Sequence, residues 1–263
     1  DNDFANLNNG LQFNILDGAS SNNMVSGNVI SGNGQFGDGD ALAGHGIYVK
    51  FANNGITFHD NKIGVAADGT TALRNIKHGI YFHQPSSDTD IVVGGTGANE
   101  SNIIANNGQY GVSFNDSNSN GTSVYPNEYY CNESGGINFA STPDVTAPVI
   151  TSVDIGSISG TSVEEDNSNI IIYEINESCD DDQGAVLITE GVNVVNGGTW
   201  SVTGSFDIDK SYTAVVIDDE TVDDAAFGTS EFSTSATQRP FITTWLATGG
   251  SITIPKAFST TYD

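Results

Sequence analysis

The sequence predicts an all-β chain: a right-handed parallel β-helix of about five coils over residues 1–143, then an antiparallel β-sandwich over 144–238. Three observations lead there. A Gly-apolar-x-aromatic/Val tetrad recurs through the first half. Two shorter β-prone runs, usually separated by Asn, lie between successive tetrads. Beyond Pro143 and Pro148, Asn and Gly give way to Val, Ile, Thr and Asp in seven short runs.

The tetrads begin at Gly10, Gly46, Gly79, Gly111 and Gly136, so their spacings by subtraction are 36, 33, 32 and 25 residues. Between them come Met24-Val25 then Val29-Ile30, Ile56-Thr57-Phe58 then Lys62-Ile63, and Ile91-Val92-Val93 then Ile103-Ile104. Three short strands per repeat describe one coil of a solenoid. No coil can bury its apolar side chains alone, so neighbours stack about 4.8 Å apart through parallel ladder bonds. Gly and Asn suit the corners, where the backbone leaves the usual β and α regions. Stacked Asn side chains can also hydrogen-bond along the axis, and Asn28, Asn61, Asn102 and Asn127 are the candidate ladder.

The stretches 61–73 (Asn-Lys-Ile-Gly-Val-Ala-Ala-Asp-Gly-Thr-Thr-Ala-Leu) and 91–108 (Ile-Val-Val-Gly-Gly-Thr-Gly-Ala-Asn through Asn-Asn-Gly) resemble the parallel β-helix repeats of very large secreted and surface proteins of Bacteroidetes. The resemblance covers roughly residues 10–140. It implies the fold more than an activity, since proteins with this repeat include adhesins, stalks and polysaccharide-degrading enzymes.

In the second half the runs are 149–155, 158–163, 170–175, 186–189, 199–203, 212–217 and 231–234. Seven strands with turn residues between them predict an Ig-like sandwich. Ile172-Tyr173, Gly198-Thr-Trp200-Ser-Val, Tyr212-Thr-Ala and Thr229-Ser-Glu-Phe-Ser233 are similar to Ig-like modules that commonly follow such β-helices. That resemblance makes Trp200 a core residue between the sheets. Residues 239–263 are a linker or the start of a further module, because Arg239–Trp245 with Ser251–Pro255 resembles the opening of BspA-type repeats. The chain then reads as an excerpt of a longer polypeptide, in keeping with its start at Asp1 without Met or a leader.

Composition narrows the partners. Lys and Arg number 7 against 33 Asp and Glu, a formal net charge of −26. Nucleic acid and anionic lipid both require a positive footprint, so neither is a partner. No apolar stretch approaches the roughly 20 residues of a membrane span, so this segment is not expected to insert. Cys131 and Cys179 fall in different predicted domains. One bridge across the junction is possible, but we expect two separate buried thiols, the usual state of free cysteine.

All four histidines and four of the seven Lys and Arg lie between residues 45 and 83: His45, Lys50, His59, Lys62, Arg74, Lys77, His78 and His83, with Asp60 beside them. A polysaccharide lyase needs a base beside a group that neutralises a uronate, and a hydrolase needs close carboxylates. If the chain is an enzyme, His78, Lys77, Arg74 and His45 are its candidates. Register argues otherwise. His45, His78 and Tyr110 each precede a tetrad glycine, which predicts a stacked ladder at one corner of successive coils. Tyr48, Tyr81, Phe51 and Tyr110 form a candidate exposed aromatic strip, and with His45 and His78 a candidate ligand-binding surface. No His and carboxylate spacing matches a zinc site. Asp180, Asp181, Asp182, Asp218 and Asp219 sit in predicted loops. They suit Ca²⁺ as hard oxygen ligands, but the reading we favour is a solvated acidic surface.

The reading from sequence is therefore a non-enzymatic extracellular stalk or adhesin segment, with glycans or a surface as partners and further modules of the same polypeptide beside it. It requires no cofactor, with calcium as an addition. The alternative is a lyase, epimerase or glycoside hydrolase acting in a groove of the coils.

Overall fold

The computed structural model describes residues 8–14, 23–34, 43–50, 55–83, 91–115, 122–140, 145–164, 168–179, 182–193, 198–207, 209–218 and 228–237. Every regular element among them is a strand. The first coil gives β1 (Leu11–Asn14), β2 (Asn23–Ser26) and β3 (Val29–Ile30); the second gives β4 (Ile47–Lys50), β5 (Ile56–His59) and β6 (Lys62–Ile63). The third has β7 (Ile80–His83), β8 (Ile91–Val93) and β9 (Ile103–Ala105), and the fourth β10 (Tyr110–Phe114), β11 (Thr122–Ser123) and β12 (Glu128–Tyr130). Strand β13 (Gly135–Phe139) opens the fifth. Like positions pair in parallel, giving the sheets β1-β4-β7-β10-β13, β2-β5-β8-β11 and β3-β6-β9-β12. This is the arrangement a parallel β-helix requires.

Tetrad register follows the sequence: Ile47 pairs with Leu11 and Ile80, and Val112 pairs with Ile80 and Ile137. Inward residues form one continuous core that includes Ile47, Val49, Phe58, Phe82, Phe114 and Tyr129. Phe82, Phe114 and Phe139 stack with centroids 4.7 and 5.0 Å apart. The tetrad glycines are needed for space. None has a positive φ, but a Cβ on Gly46 would stand 2.7 Å from the carbonyl oxygen of Gly79, and one on Gly79 2.6 Å from that of Gly111. Any side chain there would push the coils apart.

The expected asparagine ladder is present. The side-chain amide of Asn28 donates to Asn61 (3.1 Å), Asn61 to Asn102 (3.0 Å) and Asn102 to Asn127 (2.8 Å). A second ladder, not expected, runs from Asn33 to Asn75 (2.7 Å), Asn107 (2.8 Å) and Asn132 (2.8 Å). The ladder asparagines do not themselves adopt the left-handed conformation. In several cases the residue just before does: Gly27, Gly32, Asp60, Asn106 and Cys131 have φ between 52° and 75°. The corner is turned one residue early, and the Asn amide then ties the corner to the next coil.

The second unit comprises β14 (Val149–Asp154), β15 (Ser157–Thr161), β16 (Asn169–Ile175), β17 (Gly184–Asn193), β18 (Thr199–Thr203), β19 (Ser211–Asp218), β20 (Gly228–Thr229) and β21 (Ala236–Thr237). Strands β14, β15 and β18 form one antiparallel sheet, and β17, β16 and β19 belong to another. Between them lies a core containing Ile158, Ile170, Ile172, Trp200, Tyr212 and Val216. Trp200 occupies the interior position expected of it. Strand β16 reads Ile-Ile-Ile-Tyr without alternation because its other face is also covered: Ile171 and Tyr173 pack with Val215, Tyr125 and Phe232.

The two units share a sheet. Strand β20 pairs in parallel with β11 through Gly228 and Thr122, and antiparallel with β19. The 231–234 run, expected as a sandwich strand, instead locks the units together. Thr229 Oγ1 accepts from the Val124 N–H (3.0 Å) and Glu231 from the Phe139 N–H (2.8 Å). The Phe232 ring meets Tyr129 and Tyr173 edge-on at 5.4 and 5.5 Å. Gln183 caps the second ladder, accepting from the Asn132 amide (2.7 Å) and donating back to its carbonyl (2.7 Å). Beside it Cys131 and Cys179 form a disulfide with Cα atoms 5.1 Å apart. The expectation of two separate thiols is thus corrected: the corner before Asn132 and the turn after β16 lie against each other, which their sequence separation of 48 concealed.

Candidate functional site

The chemistry-bearing side chains gather on the outer face of the tetrad sheet. Within β4, β7 and β10 the residue after the first apolar position points outward, so Tyr48 and Tyr81 pair across neighbouring coils. The residue before each tetrad glycine stands at the adjoining corner. There the Gly46 N–H donates to the His78 carbonyl and the Gly79 N–H to that of Tyr110. His45, His78 and Tyr110 are therefore rungs of one column, as the sequence predicts. The His45 and His78 rings lie 5.2 Å apart and 11° from parallel, and His78 and Tyr110 lie 5.8 Å apart at 12°. Tyr81 leans against both imidazoles, 4.6 Å from His45 and 5.1 Å from His78.

Exposure differs from expectation. Tyr48 is buried at 2 % exposed, because outward direction does not settle what else covers a side chain; its neighbours include His45, Tyr81 and His83. Tyr81 and Tyr110 are half-buried. Phe51 lies outside the described residues. Among the described residues the expected aromatic strip thus reduces to Tyr81 and Tyr110.

The basic cluster does not converge. His59 is on β5 and Lys62 on β6, each in a different sheet from His83 on β7, whose preceding corner holds His78. The Lys62 ammonium donates to the Ala67 carbonyl (2.5 Å). Arg74 forks onto Glu133 through two N–H groups, the second at 2.9 Å. His45, Lys77 and His78 do remain together, and Lys77 contributes to the electrostatics of both rings. Burial first, then His78 and Lys77, lowers His45 from 6.5 to about 3. Burial and Lys77 lower His78 to about 4, against the Tyr110 N–H hydrogen bond that its Nδ1 accepts (3.2 Å). Both rings are neutral at pH 7. Neither ring nitrogen of His45 has a hydrogen-bond partner among the described residues, and the ring is 1 % exposed. A base must reach its substrate and have a pKa near the working pH. His45 is too buried to reach one, and burial together with Lys77 holds both rings below the usual histidine range. The column packs ring on ring, with Tyr81 and Tyr110 half-buried along it.

At the C-terminal end of the column a cleft of ≈ 350 Å³ opens between the coils and the second unit. Tyr110, Gly135 and Asn138 line it from the coils, with Asp182, Glu231 and Phe232 opposite. No sequence motif marks it, because its walls come from segments far apart in the chain. No family model and no curated protein matches this chain.

Of the candidate calcium ligands, Asp180, Asp181 and Asp219 lie outside the described residues. Asp182 is exposed and accepts the Ser235 N–H (2.8 Å), while Asp218 ends β19, paired with Gly228. Among the described residues no three His, Cys, Asp or Glu come together as a metal-binding group, and no helix is long and apolar enough to cross a membrane.

Proposed function

We propose that the chain is a non-enzymatic segment of an extracellular surface protein, a stiff stalk of adhesin type that contacts glycans or another surface. The observation that supports this most is the joint between the units. An amide ladder, a shared sheet and a disulfide all cross it, so the units are coupled at their junction, as a stiff spacer under tension needs. A disulfide also suits an oxidising, extracellular setting. The coils are read as right-handed and the second unit as Ig-like, in the order known from large bacterial surface proteins. No cofactor is required; calcium on the acidic loops would add stiffness, and melting with and without EDTA tests that addition.

The competing reading is an enzyme acting on uronates. Incubation with alginate and pectin, followed at the absorbance of unsaturated products, separates the two. We expect no turnover, together with retention of the chain on a glycan array. Product formation abolished by His78→Ala would sink the proposal.

A further inference from the structure

The column His45, His78, Tyr110 stops at the fourth coil. In the fifth the residue opposite Tyr110 is Gly135. Its φ is 132°, a conformation that favours glycine, and a Cβ there would already lie 3.3 Å from the Tyr110 ring. The rung that carries a ring in the second, third and fourth coils carries no side chain here. The junction cleft opens beside that position, and its ≈ 350 Å³ lies at the lower end of the range for small-ligand sites.

We propose that this cleft binds a neutral saccharide, one pyranose ring taking the missing rung against Tyr110 and its hydroxyls donating to Asp182 and Glu231. The inference rests on the glycan-contact reading above and names its site. A half-buried phenol ring ending a stack offers a flat apolar platform with a polar rim. The opposite wall offers acceptors. One oxygen of Asp182 holds the Ser235 N–H and one of Glu231 holds the Phe139 N–H. Each carboxylate keeps a second oxygen, a pattern suited to separate hydroxyl donors. Glu133, also in the lining, is neutralised by Arg74. No Lys, Arg or His lines the cleft, so a uronate or sulfated sugar would meet two carboxylates without compensation, within a chain of net charge −26. The same lining holds no metal-binding group among the described residues, so hydroxyls must bond to the protein directly.

Titration calorimetry of the full chain with cellotriose, maltotriose, mannotriose, trigalacturonate and the glucosamine trimer tests this. At least one neutral trisaccharide should bind, and trigalacturonate should not. Tyr110→Phe should keep that binding, Tyr110→Ala should weaken it roughly fivefold to tenfold as a stacking contact is lost, and Asp182→Asn should weaken it roughly threefold. Asp182 is exposed, so its variant reports on the cleft even where Tyr110→Ala fails to fold. Neutral-sugar binding that neither Tyr110→Ala nor Asp182→Asn changes would overturn the cleft while leaving glycan contact standing. Binding of trigalacturonate or the glucosamine trimer alone would overturn the ligand class. No binding in calorimetry overturns the cleft, and a blank glycan array beside it removes the glycan-contact reading too.

Discussion

Of the columns of side chains that climb the coils, two behave in opposite ways at the joint between the units. The amide column Asn33–Asn75–Asn107–Asn132 continues into the second unit through Gln183. The ring column His45–His78–Tyr110 ends at Gly135, beside a cleft. Inside the amide column each buried donor and acceptor is satisfied by its neighbours, so the column specifies which coil sits on which. The ring column holds an imidazole with two unpartnered buried nitrogens, an arrangement that adds little to specificity. Continuity marks the structural column, and interruption marks the one with a free surface.

The largest effect should come from breaking the amide column in its middle. Asn107 is fully buried; it accepts from Asn75 and donates to Asn132 and to the Ile63 carbonyl. Asn107→Ala leaves several buried polar atoms unsatisfied, at about 1–3 kcal/mol each. We expect a loss of about 4 kcal/mol in denaturant unfolding. Asn28, at the far end of the other ladder and exposed, should cost under about 1 kcal/mol as Ala. Equal losses at the two positions would remove the argument that ladder interiors carry the specificity.

The joint itself comes next. Phe232→Ala removes an aromatic ring wedged between Tyr129 and Tyr173 and should cost about 3 kcal/mol. Reducing the disulfide releases a loop of 48 residues, worth about 2–4 kcal/mol by loop closure. Applied together, they should split a single calorimetric transition into two, one for each unit. A single transition that survives both changes would show that the shared sheet and Gln183 suffice.

What could be read from the sequence follows from how local each signal is. The tetrads, the Asn28–Asn127 ladder and the His45–His78–Tyr110 column each repeat beside a recognisable β-prone run, so register alone places them. The second ladder is not legible because its asparagines stand two or more residues from the nearest strand, among many other asparagines. Phe232, Gln183 and the disulfide escaped because each acts across the joint. Thr229 and Phe232 favour β structure whichever surface they cover, so the run reads as a sandwich strand from sequence. Tyr48 shows a further limit: alternation gives the direction of a side chain, while its burial depends on neighbouring coils.

Acid should weaken the ring column while leaving the amide column untouched. In the unfolded chain His45 takes up a proton near its ordinary 6.5, but folded it does so only near 3, because burial, His78 and Lys77 oppose the charge. The unfolded state thus binds more protons below pH 6.5, and stability falls from there until about pH 3. The groups around it are His78, Lys77, Tyr48 and Tyr81, none of them a carboxylate. We expect His45→Phe to lose roughly 2 kcal/mol less than the parent between pH 6.5 and 4. Comparing the two at each pH cancels the titration of the acidic surface. Parallel curves would mean that His45 titrates normally.

The smallest effect, and the one that separates stability from recognition, is at Arg74. Its fork onto Glu133 joins side chains 46 % and 55 % exposed, so Arg74→Ala should cost under about 1 kcal/mol. Yet Glu133 lines the cleft, and losing its partner leaves a third uncompensated carboxylate there. Neutral-sugar affinity should stay within about twofold, since hydroxyl donors do not sense net charge strongly, while binding of the glucosamine trimer should rise. If neutral-sugar affinity instead falls with Arg74→Ala, Arg74 itself touches the ligand. The wall of the cleft would then extend beyond Glu133, along the outer edge of the coils.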